Sequence, residues 1–565
     1  MVFPGALPRH AGRPSLPPVL NRSVTCLIAA TLGVSCSSKS TAPQAYVPPP
    51  ASTIVQDSGP VQIRRELVLV PGVTPPPNPV GNAATPPAQN MLRITRYRVD
   101  ADPPLPARAV VVVMPGFLGG AGSVDGIAKS IVRRSTAGNA YEGWAIDRRS
   151  NLLEDTWGED VAEVFHDPDQ ANDYYFQGDT VQGQTFAGFM TGGQLPWASE
   201  WGLATTVGDL RNVLALVPPD QRASRVVLVG HSLGASIVEE YAAWDFDGTP
   251  GYSDLAGLVL VDGVAGSEGQ TTLPVEQSTY ENGGGTAPGG FGQNLGLNSD
   301  IRPGNTLFTL PLLGVKVYAA AEYLAMRAHW TGPAIEADAE RDSLLSVLLA
   351  TPQVPAMTDR AVFGFAFNRD SAALSFTAVS CGEPTGGSIG PVTSALGTTI
   401  QGPTDPTATY SWIDYDQSTP PGNTSIDDFA RAWYEGPQLN FGEWYFTQRL
   451  ALDPPVAATL VMSPTDWPVA TYGLAAEHGR DIDVPILAAA CALVGTTTAF
   501  DNLQATVKTP ASQFQTISQP QLTHLDCVDG TDDPGSDVGK WYDAVQAFVN
   551  AATPPGGVEL DLTVE

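Results

Sequence analysis

The stretch RVVLVGHSLGASIVEEYAAW, residues 225–244, places a serine between an apolar run and a run of helical composition. RVVLV is typical of a buried strand, and LGASIVEEYAAW predicts a helix that begins directly after Ser232. The turn between them must be tight, and Gly230 and Gly234 provide the small flanks it needs. The pattern G-x-S-x-G alone proves little, because the chain has 57 glycines and GGSIG at 386–390 repeats it. Prolines flank that second copy and no apolar strand precedes it, so Ser388 is discounted.

Apolar strand-like runs alternate with helix-like runs on both sides of this stretch, which predicts an α/β fold with a mostly parallel sheet flanked by helices. In such sheets the active site lies at the carboxyl ends of the strands, which is where Ser232 stands. The predicted strands lie within 61–70, 91–99, 107–124, 141–151, 225–229, 255–263, 483–495 and 512–518, and the predicted helices within 123–135, 197–217, 233–244 and 536–553.

About 220 residues between Asp262 and Asp483 break the alternation. They contain a glycine-rich opening at 282–296, helix-like runs at 312–330, 334–350 and 426–435, and a Pro/Thr-rich middle at 384–424. The simplest interpretation is a large, mainly helical cap, residues 263–482, inserted between two strands of a core formed by 61–262 and 483–565.

The composition limits the classes of function. The chain has 565 residues and is 43% hydrophobic, enough for a sizeable core. Its 29 basic and 59 acidic residues give a net charge of −30, which argues against nucleic acid as a partner because phosphate binding needs clustered Lys and Arg. No nucleotide-binding or zinc-spacing motif is present, so no cofactor or metal is predicted.

The first 35 residues are typical of an export signal, in which basic residues precede the apolar stretch VTCLIAATLGV at 24–34. Cys36 follows small residues, as in a bacterial lipoprotein signal, although Gly33 stands where such signals usually carry Leu. The expectation is export with lipidation of Cys36 and anchoring to the bacterial envelope. Ordinary secretion and a misassigned start remain alternatives. Residues 36–60 read as a flexible Pro-rich tether.

Four motifs, in their order along the chain, resemble the α/β-hydrolase superfamily: VVVMPGFLGG at 111–120, WAIDRRSN at 144–151, VVLVGHSLGAS at 226–236 and THLD at 523–526. The resemblance covers roughly residues 91–262 and 483–553, and the insertion falls where many members carry a lid or cap. It implies that Ser232 is the nucleophile of a serine hydrolase.

The base should be a histidine, because an imidazole can take the serine proton near neutral pH and return it to the leaving group. Of the six histidines, His524 follows the last strand-like run, which is the family's place for this residue. The acid that orients it is less settled. Asp262 ends a predicted strand in LVLVDG, a position that some lipases of the superfamily use, whereas Asp501 follows the later strand at which most relatives carry the acid. Asp262 is favoured and Asp501 is the alternative.

Two backbone N–H groups should stabilise the oxyanion of the reaction. One is expected from Leu233, directly after the nucleophile, and the other from Phe117 or Leu118 in the loop MPGFLGG. Cys491 and Cys527 fall in adjacent segments of this layout. A disulfide between them is predicted to fix the loop that carries His524 after the last predicted strand, which is called the histidine loop below.

The sequence therefore predicts an exported esterase or lipase-like serine hydrolase that acts on a small-molecule ester or lipid through an acyl-enzyme. An amidase, peptidase or thioesterase would use the same three side chains. A lipid-anchored surface binding protein on a hydrolase scaffold, without turnover, is the alternative from another class. The substrate's acyl and alcohol groups and the oligomeric state do not follow from the sequence.

Overall fold

Nine strands form one sheet in the computed structural model, which describes residues 45–55, 59–136, 138–265, 275–284, 295–310, 314–335, 341–342, 345 and 354–564. The order across the sheet is β1-β2-β3-β5-β4-β6-β7-β8-β9. The strands are β1 (Ser52–Ile54), β2 (Ile63–Pro71), β3 (Met91–Val99), β4 (Ala107–Met114), β5 (Ala140–Asp147), β6 (Val226–His231), β7 (Gly257–Val261), β8 (Ile486–Ala490) and β9 (Phe514–Ser518).

The six strands from β5 to β9 in this order pair in parallel, and β1, β2 and β3 add an antiparallel edge. The central strands are the most apolar, because both faces of the sheet are covered there. Val110–Val113 of β4 and Val226–Val229 of β6 are fully buried. This confirms the predicted mostly parallel sheet.

Eight longer helices accompany the sheet in the part of the chain that the structure describes. One pair, α1 and α8, packs together, with α1 against β5. A second pair, α3 and α4, also packs together, with α3 against β2 and α4 against β6. The helices are α1 (Asp125–Arg133), α2 (Trp157–Phe165), α3 (Leu203–Leu214), α4 (Leu233–Ala243), α5 (Lys316–Trp330), α6 (Asp359–Phe367), α7 (Ile426–Tyr434) and α8 (Asp537–Ala552).

The insertion lies between β7 and β8, as predicted, and its helices α5, α6 and α7 pack on one another. It is mixed rather than mainly helical. The Pro/Thr-rich middle forms short strands, because β-branched threonines favour extended backbone. The strands in or at the edge of this middle part are Gly382–Thr385, Ile389–Thr393, Thr399–Pro403 and Thr409–Asp414, and a further short strand, Ala356–Met357, precedes it. The shorter helices include Gln277–Asn282, Gln448–Leu452 and Trp467–Tyr472.

Some predictions fall outside the described residues, among them the export signal at 1–35, lipidation at Cys36 and most of the helix-like run at 334–350. The domain boundaries stay predictions. Among the described residues, no helix has both the length and the apolar composition needed to span a bilayer.

Candidate active site

Ser232 lies in the sharp turn between β6 and α4. Its φ of 56° is in the region that L-residues rarely adopt, and its backbone N–H donates to the Val261 carbonyl at 2.9 Å. The flanking residues must be glycine. A Cβ on Gly230 would lie 2.2 Å from the Gly234 carbonyl oxygen, and one on Gly234 would lie 2.3 Å from that of Met114. The turn is thus strained and close-packed, as expected of a serine held clear of the sheet.

Asp262 and His524 are hydrogen-bonded to each other. The Nδ1 atom of His524 lies 2.7 Å from Oδ2 of Asp262, and both side chains are buried. Asp262 directly follows β7 and has a positive φ of 47°. The structure therefore brings the favoured acid to the predicted base.

The Asp262 carboxylate also accepts three backbone N–H groups of the segment after β8. Oδ1 accepts from Cys491 and Val494, each at 2.9 Å, and Oδ2 accepts from Leu493 at 3.0 Å. Burial by itself raises the pKa of Asp262, but the hydrogen bonds from His524 and the backbone outweigh it and lower the pKa below its usual value. A charged, oriented carboxylate beside His524 follows.

The alternative acid, Asp501, is not placed at this pair. It is exposed at the start of the short helix Asp501–Thr506 and is not a hydrogen-bond partner of His524. Asp526, two residues after His524, has a different task. Its Oδ2 accepts the Thr523 N–H at 2.9 Å, and its Oδ1 accepts the Ser380 N–H at 2.9 Å, so it ties the histidine loop to the insertion.

His231, the residue before the serine, supports the histidine loop. Its Nε2 donates to the backbone carbonyl of His524 at 2.9 Å, and the two rings are 4.3 Å apart. Complete burial, followed by the proximity of His524, lowers the pKa of His231 to about 3. The imidazole is therefore neutral at ordinary pH.

The loop after β4, residues 115–120 and called the glycine loop below, approaches Ser232 closely. A Cβ on Gly116 would lie 2.8 Å from Cβ of Ser232. Leu118 has a φ of 61°, and among the described residues its N–H has no acceptor. Leu233 is the first residue of α4, where a helix leaves N–H groups without an internal partner. These are two of the predicted oxyanion donors; Phe117, the third, lies in the same loop.

A cavity of about 70 Å³ contains Ser232, His231 and His524 in its wall. The glycine loop forms one side of it, and aromatic residues of the insertion form much of the rest. Trp433 and Phe441 stack there with ring centroids 4.1 Å apart. The insertion residues in the wall are Leu310, Tyr318, Phe376, Thr377, Trp433, Phe441 and Gly442.

The predicted disulfide is wrong in this structure. Cys491 and Cys527 are both buried free thiols, although their sulfurs lie within 4.8 Å of each other and of an Asp262 carboxylate oxygen. Such a group could in principle hold a metal ion. However, four hydrogen-bond donors already use the Asp262 oxygens, and burial raises the pKa of Cys527 well above its usual value, which disfavours the thiolate that a metal requires.

Sequence reasoning did not identify Arg148 or Glu443 as part of the site. Arg148 lies within the motif WAIDRRSN, but the motif does not indicate a role for its side chain. Glu443 lies in the insertion, where no motif marks it. Both contact the glycine loop: the Arg148 side chain donates to its carbonyl groups, and the backbone N–H of Glu443 donates to the Leu118 carbonyl.

Sheet order and site together define the class. A mostly parallel sheet, a strained serine turn between strand and helix, and the order Ser232, Asp262, His524 are the features of the α/β-hydrolase fold. The chain has that fold.

Comparison with known proteins finds only weak similarities, all of them to solved structures. No protein-family model matches the chain, and no curated protein matches it. Solved structures do. A protein described as a "putative lipase" from Sulfolobus solfataricus has a TM-score of 0.41 at 14% identity, and the match covers 87% of this chain and 99% of that one. Epoxide hydrolase VrEH1 from Vigna radiata has a TM-score of 0.35 at 11% identity, and the match covers 82% of this chain and 94% of that one. A soluble variant of monoglyceride lipase from Saccharomyces cerevisiae has a TM-score of 0.31 at 9% identity, and the match covers 82% of this chain and 92% of that one. Because these values are low, we assign the fold from strand order and site geometry.

Proposed function

We propose that the protein is a serine hydrolase that cleaves carboxylic esters through an acyl-enzyme on Ser232. The observation that carries the proposal is the Asp262–His524 hydrogen bond at 2.7 Å, with His524 and Ser232 in the wall of one cavity. A carboxylate that holds Nδ1–H of the imidazole leaves Nε2 as the proton acceptor, which is the tautomer a general base needs.

In the first half of the reaction, the Ser232 hydroxyl oxygen attacks the ester carbonyl and His524 takes the hydroxyl proton. The carbonyl oxygen becomes an oxyanion, which accepts hydrogen bonds from the N–H groups of Leu233 and of Leu118 or Phe117. Asp262 stabilises the imidazolium. When the tetrahedral intermediate collapses, His524 returns the proton to the leaving alcohol, and the acyl group stays on Ser232.

In the second half, water attacks the acyl-enzyme while His524 takes a proton from it, and collapse releases the acid and restores Ser232. No metal or cofactor takes part in this scheme. The serine also separates this chain from hydrolases with an aspartate nucleophile, because Ser232 occupies the nucleophile's place in the turn.

The cavity favours an apolar group on the ester. Its wall carries Phe117, Phe376, Phe441 and Trp433, and Phe117 packs edge-on against Phe308 and Phe446 at 4.8 and 4.9 Å. Aromatic surface of this kind gains free energy by covering hydrocarbon, and it offers few polar partners to a charged group.

The test is covalent labelling of Ser232. The chain from Thr41 onward is treated with a fluorophosphonate, and the adduct is located by peptide mass, with Ser232→Ala as the matched control. An adduct on Ser232 that the control lacks supports an activated serine. Hydrolysis rates on matched ester, thioester and amide substrates then separate an esterase from the alternatives. No adduct on folded protein would overturn the proposal in favour of a binding protein without turnover.

We also propose that the protein is exported and lipidated on Cys36, on the strength of the signal-like segment 24–34 alone. Labelling of cells with a radioactive or clickable fatty acid tests this. Label on the wild-type chain, absent from Cys36→Ser, is expected; an unlabelled chain found in the culture medium would indicate ordinary secretion.

A further inference from the structure

Arg148 is buried behind the glycine loop and binds three of its carbonyl groups. It follows directly after β5 and is 4% exposed. Its Nη1 donates to the Pro115 carbonyl at 2.9 Å, and its Nη2 donates to those of Gly116 and Gly119 at 2.9 and 2.8 Å. A planar guanidinium with five donors can serve several acceptors in fixed directions, which an ammonium cannot.

The counter-charge comes from the insertion. Glu443 is fully buried, and its Oε2 accepts from Arg148 Nε at 2.9 Å and from Nη2 at 2.5 Å. Ser150 donates to the other oxygen of Glu443. The Arg148 guanidinium also lies over the ring of Phe446, 5.5 Å from its centre. Arg148 is therefore held from the insertion side while it holds the loop.

The same segment of the insertion pairs with the backbone of the loop. The Glu443 N–H donates to the Leu118 carbonyl at 2.8 Å, and the Gly120 N–H donates to the Phe441 carbonyl at 2.8 Å. Gly119 and Gly442 face each other in an antiparallel bridge. The loop is thus fixed along its outer edge by the insertion and from beneath by Arg148.

These contacts set the direction of the proposed oxyanion donors. In a trans peptide the carbonyl and the following N–H point in opposite directions. Because the Gly116 carbonyl points to Arg148, the N–H of Phe117 points away from Arg148. The next peptide carries the N–H of Leu118, which has no acceptor among the described residues and sits between two fixed carbonyls.

We infer that Arg148 is a positioning residue for the oxyanion donors and that Glu443 completes it, so that the insertion helps to build the catalytic site and does not only cover it. The inference rests on the proposed function. Neither side chain is assigned a contact with substrate; both act through the backbone of residues 115–119.

Three variants test the inference. Arg148→Lys keeps the positive charge but loses the planar set of guanidinium N–H donors that binds Glu443 and the loop carbonyls together. The double variant Arg148→Met/Glu443→Leu removes both buried charges, so that neither is left unpaired. Arg149→Lys is the matched control, since Arg149 is the next residue, is equally buried and forms a forked pair with Asp209, but makes no hydrogen bond to residues 115–119. Each variant is measured for kcat and KM on an ester, for fluorophosphonate labelling and for its urea midpoint.

For Arg148→Lys we expect kcat to fall about 10- to 100-fold while KM stays within about twofold, because the oxyanion contacts strengthen in the transition state. The double variant should match or exceed the urea midpoint of Arg148→Lys and still show the low kcat. Arg149→Lys should lose stability and keep kcat within about twofold. Should Arg148→Lys fail to fold, the double variant carries the test.

Wild-type kcat in Arg148→Lys, or its recovery in the double variant, would overturn the inference, because the pair would then serve stability alone. These results differ from a failure of the proposed function. A wild-type protein that neither labels at Ser232 nor hydrolyses esters overturns both, whereas a reactive wild type with unimpaired variants overturns only the role of Arg148 and Glu443.

Discussion

Replacing Asp262 with asparagine keeps the shape of the side chain, and the structure fixes what either orientation of the amide would do. Oδ1 accepts the N–H groups of Cys491 and Val494, and Oδ2 accepts Leu493 N–H and His524 Nδ1. With the amide NH2 on the Oδ2 side, it faces the imidazole and favours the tautomer with hydrogen on Nε2, which cannot take the serine proton. With the amide flipped, NH2 faces two backbone N–H groups that lose their acceptor.

The expected loss is large in rate and moderate in stability. A wrong tautomer at the base lowers kcat by about a thousandfold to ten-thousandfold. At least one buried donor loses its acceptor in either orientation, which costs about 1–3 kcal/mol of unfolding free energy. Asp262→Asn should therefore remain folded, because single domains of this kind tolerate a change of that size.

The assay is kcat on a small activated ester together with urea unfolding, and the control is Asp501→Asn. Asp501 is exposed and does not contact His524, so its replacement should leave both quantities within about twofold. The reasoning is refuted if Asp262→Asn keeps more than about a tenth of wild-type kcat, or if Asp501→Asn loses as much as Asp262→Asn.

Three further predictions concern neighbouring residues. His231 has a pKa lowered to about 3 in the fold, against about 6.5 when unfolded, so its contribution to stability is present above pH 6.5 and is lost as the pH falls towards 3. Between pH 7 and 5 the wild type should lose about 2 kcal/mol more than His231→Gln, measured by urea midpoints; equal losses would contradict the assignment. Trp433→Phe should enlarge the cavity beside Phe441 and raise kcat/KM for longer apolar esters by about fourfold for each added methylene, measured across a chain-length series; an unchanged preference would place the apolar group elsewhere. Denaturation with an alkylating agent and no reductant should modify both Cys491 and Cys527 in a mass map, because both are free thiols; an unmodified, linked pair of peptides would restore the disulfide.

The core of the fold could be predicted because its signals are local. The run at 91–99 is the whole of β3, and the helices predicted at 123–135, 233–244 and 536–553 appear as α1, α4 and α8 within a few residues. Burial on both faces makes a strand continuously apolar, and the serine turn leaves small residues at fixed places. Asp262 was favoured on the resemblance to lipases that carry the acid at the end of this strand, and the structure adds that the strand, β7, pairs with β6.

The rest depends on contacts between distant residues. The pairing of Arg148 with Glu443 joins positions nearly 300 residues apart and leaves no periodic pattern. The helix α2 was missed because TWGEDVAEVF carries four acidic or polar residues, of which Asp160 and Glu163 accept the backbone N–H groups of Gln438 and Gly436 in the insertion. The cysteines were correctly placed together, but proximity alone does not make a bond.

Two halves of the candidate site have different origins. The serine turn and Asp262 are built by core strands, glycines and the backbone after β8. The other two parts, the histidine loop and the glycine loop, are both hydrogen-bonded to the insertion. Asp526 binds Ser380 and Thr424 on the histidine side, and Glu443 binds Arg148 and Leu118 on the other. A rearrangement of the insertion would therefore disturb the base and the oxyanion donors together while leaving the nucleophile in place.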